Sequence, residues 1–397
     1  MIWLIVGTLL PSMLVSGAAS FAVRRWGPRW GLVDRPGPRK VHGRPMPTSG
    51  GLAIWLGIVL PLAAGQLVLA GLAPARPGTA RDDPGGKNLH AGIPVPAFVA
   101  PHLPGLVEQS PRLWTLLAGG TVLLILGLCD DRRGLSWKLR LSVETAVALA
   151  MVLLGWRMTL FLNLPLLTGA LSVLWIVGLI NSFNWLDNMD GLSAGVAAIA
   201  AGLLAAVLLV PSPVNRQPQL FTGGLLLVIV GALVGFLWHN RPPARLFMGD
   251  AGAYLVGFLL ATTAMKGTYA SYHGPRYTIL APLFVLAVPL YDTVTVLFIR
   301  WRDGRSPFEG DKSHFSHRLV ELGMSKPQAV LTIYLATATC GLGALLLHQV
   351  DWVGAVTILL LVACVLVLVG ILETVGRRKN SNGPNGRSDD TAGTKPG

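Results

Sequence analysis

Long apolar blocks separated by short polar loops dominate the chain. Each block runs for roughly 17 to 24 residues with almost no charge, which lets a helix cross a hydrocarbon core of about 30 Å. The pattern predicts an all-α polytopic membrane protein with about eleven transmembrane helices, ten being the alternative count. The predicted spans are about residues 2–22, 50–71, 113–129, 138–155, 168–185, 191–210, 220–238, 251–267, 277–299, 328–348 and 353–373.

Composition excludes an ordinary soluble domain. Of 397 residues, 52% are hydrophobic and 13% are charged, whereas soluble domains average about 25% charged residues. We expect one integral membrane domain over residues 1–375. It includes an outer Pro- and Gly-rich loop at about 72–111 and a cytoplasmic histidine-containing loop at about 301–326. The polar segment 376–397 is predicted to be a disordered tail.

The basic residues indicate the orientation. The formal net charge is +13, and 24 of the 32 Lys and Arg residues lie in alternate loops and in the tail. Loops rich in Lys and Arg face the cytoplasm. The N-terminus is therefore predicted outside and the C-terminus in the cytoplasm, which requires an odd number of spans. Because the charge follows topology and aromatic residues are not interleaved with it, we expect no nucleic acid as a partner.

The distinctive polar residues gather on this inner side. Before the second span, basic residues such as those around His42 and Arg44 either fix the topology or contact an anion. The run Pro47–Gly51 places small residues at a helix start, where exposed backbone N–H groups suit a phosphate.

The third predicted span ends in two adjacent aspartates, Asp130 and Asp131. Neighbouring carboxylates repel each other unless a cation or a proton intervenes. A divalent metal would do so, and a hydrated turn compensated by Arg132 and Arg133 is the alternative. Lys138 either extends to the interface or holds a phosphate.

The loop between the fifth and sixth spans carries Asn184, Asp187 and Asp190 and has no Lys or Arg. A spacing of three puts these residues on one broad helical face. Uncompensated carboxylates at a membrane border most often serve function, although a solvated short loop is the simpler alternative.

Asp250 opens the eighth predicted span as either an ordinary N-cap or a metal ligand whose flanking glycines admit a phosphate. Asp292, inside the ninth span, needs a partner such as Arg300 or Arg302, and a purely structural role is open.

His314 and His317 lie three apart on a predicted short amphipathic helix, so they face the same side. Zinc is disfavoured because no third ligand stands at a recognisable spacing. Contact of the two histidines and Arg318 with a phosphate or pyrophosphate suits the setting better.

Taken in order, five motifs resemble those of the polyprenyl-phosphate N-acetylhexosamine-1-phosphate transferases, glycosyltransferase family 4. The resemblance covers roughly residues 30 to 330. The motifs are Arg39–His42 with Pro47–Gly51, Asp130–Asp131, Asn184–Gly191, Met248–Gly252 and His314–Leu319.

The resemblance implies transfer of a sugar-1-phosphate from a UDP-amino sugar to a polyprenyl phosphate, such as undecaprenyl phosphate, with release of UMP. It implies Mg²⁺ as cofactor, with Mn²⁺ as a substitute, and a bacterial plasma membrane location with the active site facing the cytoplasm. The pattern is more similar to the UDP-N-acetylglucosamine branch than to the phospho-N-acetylmuramoyl-pentapeptide branch. A homodimer is left open.

Residue roles follow from the same resemblance. The catalytic positions are Asp130, Asp131 and Asp250, and the metal ligands are Asp250 and Asp187. The substrate-binding positions are Lys138, Asn184, Asp187, Asp190, His314, His317, Arg318, Arg44 and His42. Asn188, Ala253 and Ser316 depart from the family pattern, which concerns the sugar preference more than the reaction.

Two other classes compete with an enzyme. A transporter would place polar residues deep in several spans to form an ion path, whereas here they gather at one face of the membrane. A catalytically silent scaffold would lack UMP release.

Overall fold

The computed structural model describes residues 2–34, 45–72, 89–90, 93–94, 103–158, 160, 163–210, 218–267, 269, 275–306 and 314–381. His42 and Arg44 lie outside the described residues, as do most of the outer loop and the end of the tail. The described part of the chain is almost entirely helical, with two short strand pairs.

The helices are α1 (Ile2–Trp26), α2 (Gly50–Leu72), α3 (Leu103–Arg133), α4 (Trp137–Leu153), α5 (Pro165–Leu186), α6 (Leu192–Leu209), α7 (Leu220–Asn240), α8 (Gly249–Lys266), α9 (Ala281–Val285), α10 (Ala287–Arg302), α11 (Phe315–Glu321), α12 (Lys326–Leu346) and α13 (Trp352–Ser381). Strand β1 (Val33–Asp34) pairs antiparallel with β2 (Met46–Pro47), and β3 (Leu89–His90) pairs antiparallel with β4 (Ile93–Pro94).

The helices confirm an all-α polytopic membrane fold. Among the described residues, 8 helices are long and apolar enough to cross a membrane. The segments Arg276–Val285 and Ala287–Arg302 meet at a 70° bend. If they count as one broken span, the number rises to 9. Helices α4 and α8 occupy two more predicted spans but are shorter or more polar. The count of eleven and the orientation stay predictions.

Helix α8 lies at the centre of the bundle. Every residue from Ala251 to Ala264 is buried, and α8 packs against α2, α3, α5, α6 and α7. Glycines permit the closest approaches, because a Cβ at Gly127 of α3 would lie 2.3 Å from the Ala251 backbone. A Cβ at Gly51 of α2 would lie 2.4 Å from the Gly252 nitrogen. The first turn of α8 is therefore clamped between the backbones of two neighbouring helices.

We expect Gly127→Ala to lower the thermal unfolding midpoint in detergent by several degrees, because the added methyl group forces α3 away from α8. Overpacking of this kind costs about 1–3 kcal/mol. Gly105→Ala is the matched control in the same helix, since nothing lies within 4 Å of a Cβ placed there. Equal midpoints for the two variants would contradict the proposed close packing.

Candidate active site

The amino end of α8 is capped by side chains from two other elements. A helix leaves its first N–H groups without partners inside the helix. The Asp131 carboxylate at the end of α3 accepts the N–H groups of Asp250 at 3.1 Å and Ala251 at 3.3 Å. The Asp187 carboxylate, just after α5, accepts the N–H of Gly249. These carboxylates bring three separate connections together at one point.

Gly249 makes this arrangement sterically feasible. Its φ of 70° lies in the left-handed region that favours glycine. A Cβ there would lie 2.6 Å from Asp131 Oδ2 and 2.5 Å from the Thr48 carbonyl oxygen. The glycine therefore makes room for a protein carboxylate, and the interpretation that it makes room for a phosphate is wrong.

Asp250 is the second residue of α8 and does not serve as its N-cap, a position held by Met248. Its carboxylate accepts a hydrogen bond from the Asn184 amide at 2.6 Å. The Asp130 carboxyl group lies within hydrogen-bonding reach of the Asp250 carboxyl group. Because two carboxylates in contact repel each other, this pair requires a shared proton or a cation.

The buried Asp130 carboxylate has donors on both of its oxygens. Oδ2 accepts hydrogen bonds from the Arg140 guanidinium and the Tyr254 hydroxyl, each at 2.8 Å. Oδ1 accepts the Leu135 N–H at 2.7 Å. Such donors hold the carboxylate in one orientation. The hydrated-turn alternative is therefore wrong for Asp130.

Sequence reasoning missed Arg140 and Tyr254 and chose Lys138 instead. Lys138 is exposed, and its ammonium group lies 5.7 Å from the centre of the Trp137 ring. Residues two apart on a helix point to nearly opposite sides, so Arg140 faces Asp130 while Lys138 does not. The available signal was Ser136, whose side chain caps α4 and so fixes which face Arg140 occupies. The role of Lys138 toward a lipid phosphate stays a prediction.

Asp187 and Asp190 have different surroundings. Loss of water around the Asp187 carboxyl group, and then the negative charge of Asp250, raise the pKa of Asp187 to about 8. Near pH 7 this group therefore keeps its proton until positive charge is brought close. Asp190 Oδ2 instead accepts the Ala244 N–H at 2.9 Å, which fastens the connection after α5 to the loop after α7.

The donor set suits a magnesium ion that is shared with a substrate. Among the described residues, no three His, Cys, Asp or Glu side chains already form a metal site. Asp130 and Asp131 have donors on both carboxylate oxygens, whereas Asp187 and Asp250 are half-buried and each accepts one hydrogen bond from an N–H group. Protein sites for Mg²⁺ commonly supply one or two carboxylates, with substrate phosphates and water completing the shell. Asp187 and Asp250 fit that requirement.

The run Pro47–Gly51 does not offer its N–H groups to a ligand. Gly50 donates to the Phe247 carbonyl oxygen at 3.0 Å, and Gly51 donates to that of Met248 at 2.9 Å. The phosphate-binding interpretation of this run is therefore wrong. Its backbone holds the start of α2 against the turn that precedes α8.

Helix α11 docks beside the Asp187 connection. The Ser316 hydroxyl donates to Asn188 Oδ1 at 2.6 Å, so two of the positions that depart from the family pattern contact each other. His314 is buried just before α11, and His317 is half-buried within it. The prediction that both histidines belong to one short helix is therefore correct only for His317.

The partners expected for Asp292 were wrong. Asp292 pairs with His314 at 3.0 Å and lies 3.7 Å from the Arg318 guanidinium. Arg302 pairs with Asp303, and Arg300 lies over the Trp185 ring. The chain reverses after α10, so the residues that reach Asp292 come from the segment that returns to it.

Comparisons with known proteins agree with these motifs. The model of glycosyl transferase family 4 matches residues 113–268. The chain is 31% identical to decaprenyl-phosphate N-acetylglucosaminephosphotransferase of Mycolicibacterium smegmatis, over 96% of this chain and 90% of the relative. It is 28% identical to a probable undecaprenyl-phosphate N-acetylglucosaminyl 1-phosphate transferase of Bacillus subtilis, over 94% of each chain.

A third relative extends the comparison to Escherichia coli K12. Its undecaprenyl-phosphate alpha-N-acetylglucosaminyl 1-phosphate transferase is 27% identical over 86% of this chain and 84% of the relative. The three relatives each match 86% or more of this chain. The chain belongs to glycosyl transferase family 4.

We expect Tyr254→Phe to lower the free energy of unfolding by about 1.5–3 kcal/mol, the usual contribution of a hydrogen bond to a charged group. The measurement is thermal unfolding in detergent. Tyr269→Phe is the matched control, because the buried Tyr269 hydroxyl has no hydrogen-bond partner among the described residues. A destabilisation equal to that of the control would show that the Tyr254 hydroxyl does not support Asp130.

Proposed function

We propose that the protein transfers N-acetylglucosamine-1-phosphate from UDP-N-acetylglucosamine to a polyprenyl phosphate and releases UMP. The observation that carries this proposal is the meeting of Asp130, Asp131, Asp187 and Asp250 at the first turn of α8. The names of the relatives, which specify N-acetylglucosaminyl 1-phosphate transfer with undecaprenyl or decaprenyl phosphate, support the choice of sugar and lipid.

The chemistry requires two anions to meet. An oxygen of the lipid phosphate attacks the β-phosphorus of the UDP-sugar, the bond between the β-phosphorus and the bridging oxygen breaks, and UMP leaves. Magnesium, when bound, would spread the negative charge of the diphosphate. We assign it to Asp250 and Asp187, with manganese as a substitute.

The chain itself fixes the reacting groups in place. Asp131 and Asp187 hold the first turn of α8, and Asn184 then orients the Asp250 carboxylate through the 2.6 Å hydrogen bond. The amino end of a helix carries partial positive charge, which favours the aspartates gathered there. Asp130 is held next to Asp250 by Arg140 and Tyr254. We assign to Asp130 and Asp131 the task of keeping the attacking phosphate deprotonated.

The segment at α11 is suited to the nucleotide-sugar. We assign His314, His317 and Arg318 to the donor phosphates and sugar, and Asp190 to the uridine side of the site. The hydrogen bond between Ser316 and Asn188 joins this segment to the connection that carries Asp187. The segment assigned to the donor and the connection that carries Asp187 are thus joined by a hydrogen bond. Lys138, exposed at the membrane edge, is assigned to the lipid phosphate.

The position of the site suits a membrane-bound lipid substrate. All four aspartates lie at the end of the bundle whose loops carry the excess of Lys and Arg, so we place the active site at the cytoplasmic face of a bacterial plasma membrane. Carboxylates gathered at one end of the bundle do not form the membrane-crossing series that a transporter needs.

With purified protein, undecaprenyl phosphate and a panel of UDP-sugars, we expect Mg²⁺-dependent UMP release that is greatest with UDP-N-acetylglucosamine. EDTA is expected to stop the reaction, and Mn²⁺ to restore part of it. The radiolabelled lipid product identifies the sugar. UMP release that is undiminished by EDTA would remove the metal assignment, and preference for the muramoyl-pentapeptide donor would place the protein in the other branch.

We expect Asp250→Asn to reduce kcat by about 10²–10³-fold or more while the protein still folds, because the amide no longer carries the negative charge assigned to holding Mg²⁺ beside the diphosphate. The readout is UMP release at saturating Mg²⁺. Asp303→Asn is the matched control, since Asp303 is a more exposed carboxylate paired with Arg305 at 2.7 Å. Turnover near the wild-type value in Asp250→Asn would exclude Asp250 as a catalytic residue.

A further inference from the structure

Asp292 is a buried carboxylate to which no role in the transfer has been assigned above. It lies on α10 and is 2% exposed. Oδ2 lies 3.0 Å from His314 Nδ1, and Oδ1 accepts the Phe315 N–H at 2.6 Å. One side chain therefore contacts both the first residue of α11 and the histidine that precedes it.

The contact with His314 determines which ring nitrogen carries hydrogen. A charged carboxylate only accepts hydrogen bonds, so Nδ1 of His314 must be the donor. In the neutral ring this leaves Nε2 without hydrogen and able to accept a proton or a hydrogen bond. The Asp292 carboxylate thereby selects one tautomer and one ring orientation.

The same face of α10 also holds Arg318. Asp292 and Thr295 are three residues apart and so lie on one side of the helix. The Arg318 guanidinium lies 3.7 Å from Asp292 Oδ1 and donates to the Thr295 hydroxyl at 3.1 Å. Two of the residues assigned to the donor phosphates are therefore oriented by one surface of α10.

Docking of α11 alone does not require the contact with His314. The Phe315 N–H and the hydrogen bond between Ser316 and Asn188 already attach this segment at two points. A neutral hydroxyl would serve the same purpose without placing a charge in a buried position. What the contact between Asp292 and the His314 imidazole adds is control of the tautomer of that ring.

We propose that Asp292 is a positioning residue, which fixes the tautomer and orientation of His314 and aligns Arg318 for the donor phosphates. This inference rests on the proposed function in assigning the two residues to the donor, whereas the tautomer itself does not depend on that function.

The direct test uses nitrogen NMR of the full-length protein with ¹⁵N-labelled histidine in detergent at alkaline pH, where imidazole rings are neutral. His314→Gln assigns the signal. We expect hydrogen on Nδ1 in the wild type and on Nε2 in Asp292→Asn, because an amide N–H turned toward the ring would donate to Nδ1. Hydrogen on Nε2 in the wild type, or an unchanged tautomer in the variant, would overturn the proposal.

The kinetic test is a double-mutant cycle on UMP release. Loss of such an orienting partner typically reduces activity 10–100-fold, and we expect a decrease in kcat of about that size for Asp292→Asn. Because Asp292 acts through His314 as well as through Arg318, the loss in Asp292→Asn combined with His314→Ala will be smaller than the product of the two single losses. Losses that multiply would contradict the proposal.

Thr293→Val is the matched control on α10. Its hydroxyl donates to Ser182 of α5 at 2.7 Å, so the variant removes a half-buried helix-to-helix hydrogen bond next to Asp292 and leaves the contacts of Asp292 with His314 and Phe315 in place. We expect wild-type turnover and an unchanged His314 tautomer. A tautomer change in this control would show that any disturbance of α10 suffices, and would overturn the specific role of Asp292.

The NMR and kinetic results distinguish the two proposals. If the wild-type protein releases no UMP, the proposed function is refuted. The NMR result then still decides whether Asp292 fixes the tautomer of His314.

Discussion

The amino end of α8 depends on carboxylates supplied by other parts of the chain. Its first N–H groups are inside a helix bundle, where an unpaired N–H is costly, and Asp131 and Asp187 accept them. The backbones of α2 and α3 approach the same turn through Gly51 and Gly127. The close packing of the bundle and the gathering of acidic side chains are therefore two results of one constraint.

This arrangement gives the aspartates unequal roles. Asp130 and Asp131 have donors on both carboxylate oxygens and stabilise the fold around α8, whereas Asp187 and Asp250 each accept one N–H donor and lie close to each other. The raised pKa of Asp187 expresses a shortage of positive charge. A site of this kind attracts a cation together with its bound phosphates and offers the cation too few ligands to be held without them.

The hydrophobic pattern predicted the helices well, because the length of an apolar block can be read directly from the sequence. The motif residues Asp130, Asp131, Asp187 and Asp250 were also predicted to converge, and they lie together. The partners were harder to predict, since Tyr254 and Arg140 reach Asp130 only through the packing of α4 and α8 on α3. The glycines around Pro47–Gly51 were misinterpreted because their N–H groups contact a turn about two hundred residues away.

The hydrogen bond between Ser316 and Asn188 has an evolutionary consequence. Ser316 supplies the hydroxyl donor and Asn188 the amide oxygen that accepts it. Replacing Ser316 or Asn188 alone would leave the remaining polar side chain without its partner in a site shielded from solvent. A change at one of the two positions is thus expected to require a matching change at the other.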